Sequence, residues 1–494
     1  MQTGFFLLPE IVVLVLVLLL LVVDAARIGS RQVLRDVVES VGFHLSWIGF
    51  AIAALSALYV ASTGSSHLGG DSVKLLSIDT LSQNIKAIIA VFAALMIVLA
   101  RPFTQAFDYR RIEIYMLMGL ASLGAMVMSS ANHFLMMYLG LELLALSTCA
   151  LIAVRRDQLI SIEAAMKYFV LSALASGMLL YGISMLYGAA GGLSFDQVAA
   201  YAHSAQFNPM FFVFGLVFVL AGVAFKLGVV PFHGWVPDVY QGAPSSTVVF
   251  LSTVPKIALV VVLSRLLSQA FVNQLEVVSS LLMYLAVASL IVGNTAALVQ
   301  TNFKRMLAYS AIAQLGFVLL AVVADIALVL SGGQTQLLLS SALFYVLTYS
   351  FNSLLAFAIL FFVSTKHKEI ELISDLNGLN RRSPWLAFCL MLVMLSMAGI
   401  PPMIGFFAKF YVVAILIKQG LVYLGVFAVL MSVVATFYYL RVIKAMYFEP
   451  SSEGKLIVKQ RGTLVLYVLL GLGLLVLSLV PQVLFNAISI FLQK

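Results

Sequence analysis

Glu142, Lys226, Lys256 and Lys409 each stand in a stretch otherwise apolar enough for lipid: YLGLELLALS, LAGVAFKLGVVPFHGW, STVPKIALVV and GIPPMIGFFAKFYVV. A charge at mid-bilayer costs roughly 2.5–3.5 kcal/mol on insertion scales. One acid and three amines kept at that cost point to charge movement. In low-dielectric surroundings each holds its proton with an affinity set by its neighbours' charges. Lys256 is too deep to snorkel, because the half-thickness of the hydrocarbon, about 15 Å, exceeds a lysine's reach. Lys226 and Lys409 flank helix breakers, which implies hydrated pockets rather than lipid-facing helix ends. Lys167 is ambiguous, because Glu163 four residues earlier gives it a favourable helix pair. His233, in VVPFHGWVPD, titrates near neutrality and suits either a proton shuttle or a structural hydrogen bond. Asp238 reads as a turn or cap residue. Ser310, Gln314, Tyr345, Thr348, Tyr349 and Asn352 form a polar trail that could line a water file or glue helices together.

The elements that carry these residues follow from composition. Of 494 residues, 63% are hydrophobic and 10% charged, against about 25% charged in soluble domains; mean hydropathy is +1.10. The expectation is an all-α integral membrane protein, with apolar runs long enough to cross about 30 Å as helices and without the alternation of a β-barrel. About fourteen spans are expected, near 5–23, 42–62, 79–100, 113–131, 134–154, 164–189, 210–240, 245–268, 277–300, 305–328, 338–364, 385–418, 421–446 and 463–490. The N-terminal run reads as the first span rather than a cleaved signal. Arg101, Arg110, Arg155, Arg156, Lys304, Arg305, Lys366, Lys368, Arg381, Arg382, Arg441 and Lys444 lie in or beside loops after odd-numbered spans. The opposite side has Lys74, Lys86, Arg265, Lys418 and Lys494. The positive-inside rule then puts both termini on the non-cytoplasmic side.

Helices seven and twelve should be broken. Gly228 and Pro231 follow Lys226; Gly399, Pro401, Pro402 and Gly405 precede Lys409. Broken membrane helices persist where protein or a wet cavity satisfies the freed backbone. Two breaks five spans apart suggest two inverted five-helix repeats, spans 4–8 and 9–13, with the transport route between. The implied organisation is a three-helix segment 1–112, repeats 113–270 and 271–448, and a C-terminal helix 449–494. The symmetry looks imperfect. Lysine precedes one break and follows the other, and Glu142 and Lys256 lack counterparts. The longest polar connectors are near 195–209, 365–384 and 449–462.

The net charge of +8 is spread through short loops and is no nucleic-acid signal. Cys149 and Cys389 lie in apolar segments without CxxC or Cys/His spacing, so no iron–sulfur or zinc site and no redox cofactor is expected in this chain.

SIEAAMKYFVLSALASG, FKLGVVPFHGWVPDVYQGAPSSTVVFLSTVPKIA, TNFKRMLAYSAIAQLGF and LSMAGIPPMIGFFAKFYV resemble the antiporter-like membrane subunits of respiratory complex I, NADH-quinone oxidoreductase. PFHGWVPDVYQGAP resembles the subunit N branch more than subunits L or M. The resemblance is specific from about residue 100 to 450, and the outer spans agree only in number and hydropathy. It implies a fourteen-helix fold and a proton route along a central hydrophilic axis. The family's fifth-, seventh-, eighth- and twelfth-span ionisable positions fall on Glu142, Lys226, Lys256 and Lys409, and its sixth-span lysine on Lys167. It implies a translocase subunit without its own redox centre. NAD, FMN, iron–sulfur clusters and quinone are then expected in partner membrane and catalytic subunits, and the location is the bacterial inner membrane. The alternative is a subunit of a multi-subunit Na+/H+ antiporter, which shares the fold. A solute carrier fits poorly, because the charges are strung out rather than clustered. A scaffold leaves the buried charges unused.

Overall fold

The computed structural model describes residues 6–27, 32–63, 75–106, 111–204, 207–333, 340–364, 369–450 and 461–492. Arg110, Lys366, Lys368, Lys74, Lys494 and residues 451–460 of the last connector lie outside them. Among the described residues, thirteen helices are long and apolar enough to cross a membrane, from Leu8–Ala26 to Gly462–Leu479. The shorter apolar helix Pro384–Ala398, followed by Ile404–Lys418, supplies the remaining crossing. Spans are numbered in that order below. Among the described residues there is no strand, only isolated bridges. This is a multi-pass, all-α membrane protein.

Three boundaries differ from the sequence expectation, each for a local reason. The last span is two helices, Arg461–Leu479 and Pro481–Leu492, divided where Pro481 withholds a backbone donor. The 195–209 connector contains a helix, Phe195–Tyr201, closed by a capping box in which Ser194 and Gln197 satisfy each other's backbone donors. Span eight is broken as well. Ser245–Leu251 ends at Ser252, and Thr253 leaves helical geometry before Val254–Arg265 resumes with Pro255 in its first turn. Pro255 was the available signal.

Burial grades from centre to rim. The apolar windows of spans eight and eleven are 100% and 94% buried, against 28% for span thirteen. Spans eight and eleven are therefore the axis, and span eleven packs against both halves of span eight and both halves of span twelve. Outer helices show Leu, Ile, Val and Phe outward, as contact with lipid requires. Spans four and five cross at Gly124 and Gly140. A Cβ on Gly124 would lie 2.6 Å from the Gly140 carbonyl oxygen, so only glycine allows this approach.

Of the four residues singled out in the sequence, Lys226, Lys256 and Lys409 are buried and Glu142 is partly buried, and buried charge extends beyond them. Lys86 stands within span three, 0% exposed, with its Nζ 2.6 Å from Glu10 Oε1 of span one. The two side chains are 76 positions apart, so no local pattern announces the pair. On the same side of the molecule, Arg265 Nη2 reaches both oxygens of Asp79 at 2.8 and 2.9 Å, and its Nε donates to Ser129 O. Removing one member of such a pair strands the other, typically at a cost of about 3–5 kcal/mol, whereas replacing both with apolar residues of similar volume is near neutral. Lys86→Met should therefore sharply lower the heat stability of the purified protein. The Glu10→Leu/Lys86→Met double variant should recover most of it, and a double variant no better than the single would contradict this account.

Candidate functional site

The two breaks share one design. Span seven's first helix, Pro209–Leu227, ends at Gly228 with φ +82°, and span twelve's first helix, Pro384–Ala398, ends at Gly399 with φ +84°. Both are left-handed caps that a side chain would strain. A helix C-terminus leaves its last four carbonyls without donors. Gly228 N–H takes those of Ala224 and Phe225, and Gly399 N–H takes those of Leu395 and Ser396. The final two in each case go to a lysine. Lys256 Nζ donates to Lys226 O and Leu227 O at 3.1 and 2.7 Å. Lys409 Nζ donates to Met397 O and Ala398 O at 3.0 and 2.9 Å. Each amine also lies near an aromatic face, 5.2 Å from the Trp235 centroid and 5.1 Å from that of Phe317. The helix dipole's negative end favours a cation at both places.

The symmetry expected from sequence is therefore corrected. Lys256 does have a counterpart, and it is Lys409. The same cradle is filled once from span eight and once from the second half of span twelve. The residue in the second half that matches Lys226 in distance from its glycine is Met397. Sequence order hid the match because the two lysines reach their cradles from different positions in the chain.

Glu142 and Lys226 are joined indirectly. Ser176 Oγ donates to Glu142 Oε2 at 2.7 Å, and Lys226 Nζ donates to Ser172 Oγ at 2.6 Å. Ser172 and Ser176 are one turn apart on span six, so a single helix face presents both hydroxyls between acid and amine. No direct Glu142–Lys226 ion pair is present. The serine that meets Glu142 stands on a neighbouring span. LSALAS carries the signal, an i, i+4 serine pair in an apolar helix. Lys226 is linked onward, because its carbonyl is one of the two that Lys256 holds.

Beyond Lys256, span eleven carries the polar trail. Thr348 Oγ1 and Asn352 Oδ1 are buried without a hydrogen-bond partner among the described residues, as are Tyr240 OH and Ser246 Oγ. Buried polar atoms are almost always satisfied. Four open ones around the axis are sites for water or for a hydroxyl that changes partner. At the far end, Tyr345 OH donates to Gln314 Oε1 at 2.6 Å, and Gln314 Nε2 donates to Met397 O, which Lys409 also holds, and to Tyr439 OH. Tyr439 and Ser310 are hydrogen-bonded. A cavity of about 10 Å³, lined by Gln314, Tyr345, Thr348, Asn352, Ser396 and Lys409 among others, adjoins the second cradle, roughly the room of one water. Ser432 Oγ, which the sequence reading passed over, accepts from Lys409 Nζ at 2.9 Å.

Lys167 and His233 stand apart from this line. Lys167 is 43% exposed and pairs with Glu163 and Asp238, each at 2.8 Å. Asp238 is more than a cap. It lies in the helix Trp235–Gly242 and bridges Lys167 to Arg305 Nη1 at 2.7 Å. His233 sits on the turn after the first break, its Nδ1 without a partner among the described residues.

Residues 131–436 match a family model described as NADH:quinone oxidoreductase/Mrp antiporter, TM. NADH-quinone oxidoreductase subunit N of Nitrosomonas europaea is 42% identical over 476 residues, covering 96% of this chain and 95% of that one. The chain belongs to this family. The counterpart from Neisseria gonorrhoeae is 44% identical, with 91% and 89% covered. Among solved structures, a chain of respiratory complex I from Thermus thermophilus with bound aureothin is 30% identical with a TM-score of 0.79, covering 97% of this chain and 99% of its own. A chain of the Mrp complex from Dietzia sp. has the same fold at 20% identity and a TM-score of 0.80, with 99% and 97% covered.

A second cluster closes the basic end of the axis. Glu369, in the connector between spans eleven and twelve, accepts from Arg155, from Ser245 Oγ and N, and from Lys304 Nζ at 2.7 Å. It thus ties span ten and the entrance to span eight to the loop after span five. Burial pushes the Glu369 carboxyl up, but the Lys304 and Arg155 charges and hydrogen bonds from Lys304 and Ser245 outweigh it and hold it at about 2. A depressed acid stabilises the fold above its unfolded value, here 4.5, and loses that contribution as pH falls toward the folded value. Glu369→Gln should therefore lower the melting temperature of the purified protein by an amount constant from about pH 8 to about pH 5 and shrinking on further acidification. A deficit that widened below pH 4.5 would contradict the assignment.

Proposed function

We propose that this chain is a proton-translocating membrane subunit of an NADH-quinone oxidoreductase. Electron transfer to quinone, and the NAD, flavin and iron–sulfur groups that conduct it, belong to partner subunits. The setting proposed is a bacterial inner membrane, with the basic loops in the cytoplasm, both termini outside, and two five-span units at 113–270 and 271–448 between the flanking segments 1–112 and 449–494.

The observation that carries the reading is a pair of buried lysines, Lys256 and Lys409, held by neutral carbonyls at two broken helices, with buried hydroxyls and amides between them. No carboxylate locks either amine among the described residues. Carbonyl acceptors suit ammonium and amine alike, so a proton can arrive and leave without the cradle collapsing. Glu142 is the input. A change in its charge reaches Lys226 through the Ser176 and Ser172 hydroxyls. Lys226 shares its backbone carbonyl with Lys256, so the three groups respond together. The proton leaves Lys256 along Thr348, Tyr349 and Asn352 to Lys409. Lys167 and His233 are assigned the cytoplasmic approach. Moving one charge against 100 mV costs about 2.3 kcal/mol, comparable to a shift of one or two pKa units at about 1.36 kcal/mol each.

A multi-subunit Na+/H+ antiporter shares the fold. The subunit N reading is favoured because curated relatives of that kind are 42–44% identical, against 20% for the Mrp chain.

Lys256→Ala and Lys409→Ala should assemble into the complex and lower proton pumping in inside-out vesicles by about tenfold or more, the scale of removing a positioned proton carrier. Ser172→Ala/Ser176→Ala should do the same while leaving Lys226 in place. Normal pumping by either lysine variant would remove that residue from the route.

A further inference from the structure

Asp325, in AVVADIALVL of span ten, has no place in the route so far, yet it is one of the most deeply buried acids of the chain, at 0% exposure. Its Oδ2 accepts from the backbone N–H of Ser341 and Ala342, at 3.2 and 3.3 Å, at the start of span eleven. Its Oδ1 is buried and has no partner among the described residues. No cation among them pairs with it. The helix N-terminus accounts for one oxygen, the Ser341 hydroxyl also hydrogen-bonds the carboxyl, and Oδ1 has no partner of its own among the described residues.

Its position in the fold extends the line from Lys409. Gln314 and Asp325 are eleven residues apart on one helix, three turns plus about 20°, so they share a face about 16 Å apart along the axis. On the facing helix, Ser341 lies one turn from Tyr345, the partner of Gln314. Spans ten and eleven therefore present Gln314 and Tyr345 beside Lys409, and Asp325 and Ser341 at the end away from the basic loops. Burial along span ten stops there, with Ala327 and the residues after it partly exposed.

Resting on the proton-route reading, we infer that Asp325 is the release group of the second half, the carboxyl that takes the proton from the Lys409 side and passes it to water on the face opposite the basic loops. An N–H bond of the Lys409 ammonium breaks and an O–H bond forms on Asp325 Oδ1, the proton being carried past Tyr345 and Ser341 by water entering between spans ten and eleven. The amine becomes neutral and so does the acid. Asp325 then loses the proton to water and returns to the carboxylate capping span eleven. A helix cap alone needs only an acceptor, which asparagine or serine supplies equally well; a release group needs an ionisable one.

The test uses the assembled NADH-quinone oxidoreductase in proteoliposomes, scoring assembly, NADH oxidation with quinone, and proton uptake. Asp325→Asn keeps the cap and should cut coupled proton uptake by about tenfold, while Asp325→Glu should restore more than half. Wild-type uptake with Asn would overturn the release role and leave a cap. Should Asn fail to assemble, Asp325→Ser, also a cap acceptor, carries the same comparison. Lys409→Ala is the reference. If it too pumps normally, the route through the second half fails as a whole; if it is blocked while Asp325→Asn pumps, only the release role falls.

Discussion

A membrane helix that stops halfway exposes carbonyl oxygens where there is no water to take them, and this constraint organises the centre of the molecule. Each unsatisfied group in that setting costs several kcal/mol. Glycine in the left-handed region closes the turn and takes two carbonyls, and the other two need donors from elsewhere. A lysine ammonium supplies several donors at once and complements the negative end of the helix dipole. Lys256 and Lys409 are therefore as much structural closures of spans seven and twelve as candidates for chemistry. The two roles support each other, because a donor held by neutral acceptors keeps its place in either protonation state.

From that constraint the surroundings follow. Gln314 and Ser432 reach the same carbonyls as Lys409 and bring spans ten and thirteen to the second cradle. Trp235 Nε1 donates to Phe225 O and so draws the helix after the first break back under its own C-terminus. Spans eight and eleven become the axis because both cradles need a neighbour on the inner side. Their near-complete burial is the packing consequence. The ion clusters of Asp238 with Lys167 and Arg305, and of Glu369 with Lys304 and Arg155, pin the connectors that begin and end these helices.

Legibility from the sequence was uneven, and the unevenness has a cause. Span number, the breaks at Gly228 and Gly399, and the buried status of Lys226, Lys256 and Lys409 could be read because each is a local property: a charge in an apolar window, or a proline and a glycine in a helix; Glu142, read the same way, is only partly buried. The Lys256–Lys409 correspondence, the serine bridge between Glu142 and Lys226, and the Glu10–Lys86 pair could not, because each joins residues tens of positions apart. Lys86 was passed over because its partner Glu10 lies on another span, 76 positions away. Asp238 was undervalued because its partners lie on other spans.

Hydrophobicity and helix breakers act over one to a few turns, so the sequence by itself determined that this chain crosses a membrane many times, where two crossings are interrupted, and that Lys226, Lys256 and Lys409 are withheld from water. Which donor meets which acceptor depends on how helices lie beside one another, set by interhelical packing and by the need to satisfy every buried polar group at once. Only the tertiary structure decided that two lysines close two helix ends in the same way, that hydroxyls rather than a direct ion pair join Glu142 to Lys226, and that Asp325 stands at the far end of the Gln314–Tyr345 face with one oxygen unclaimed.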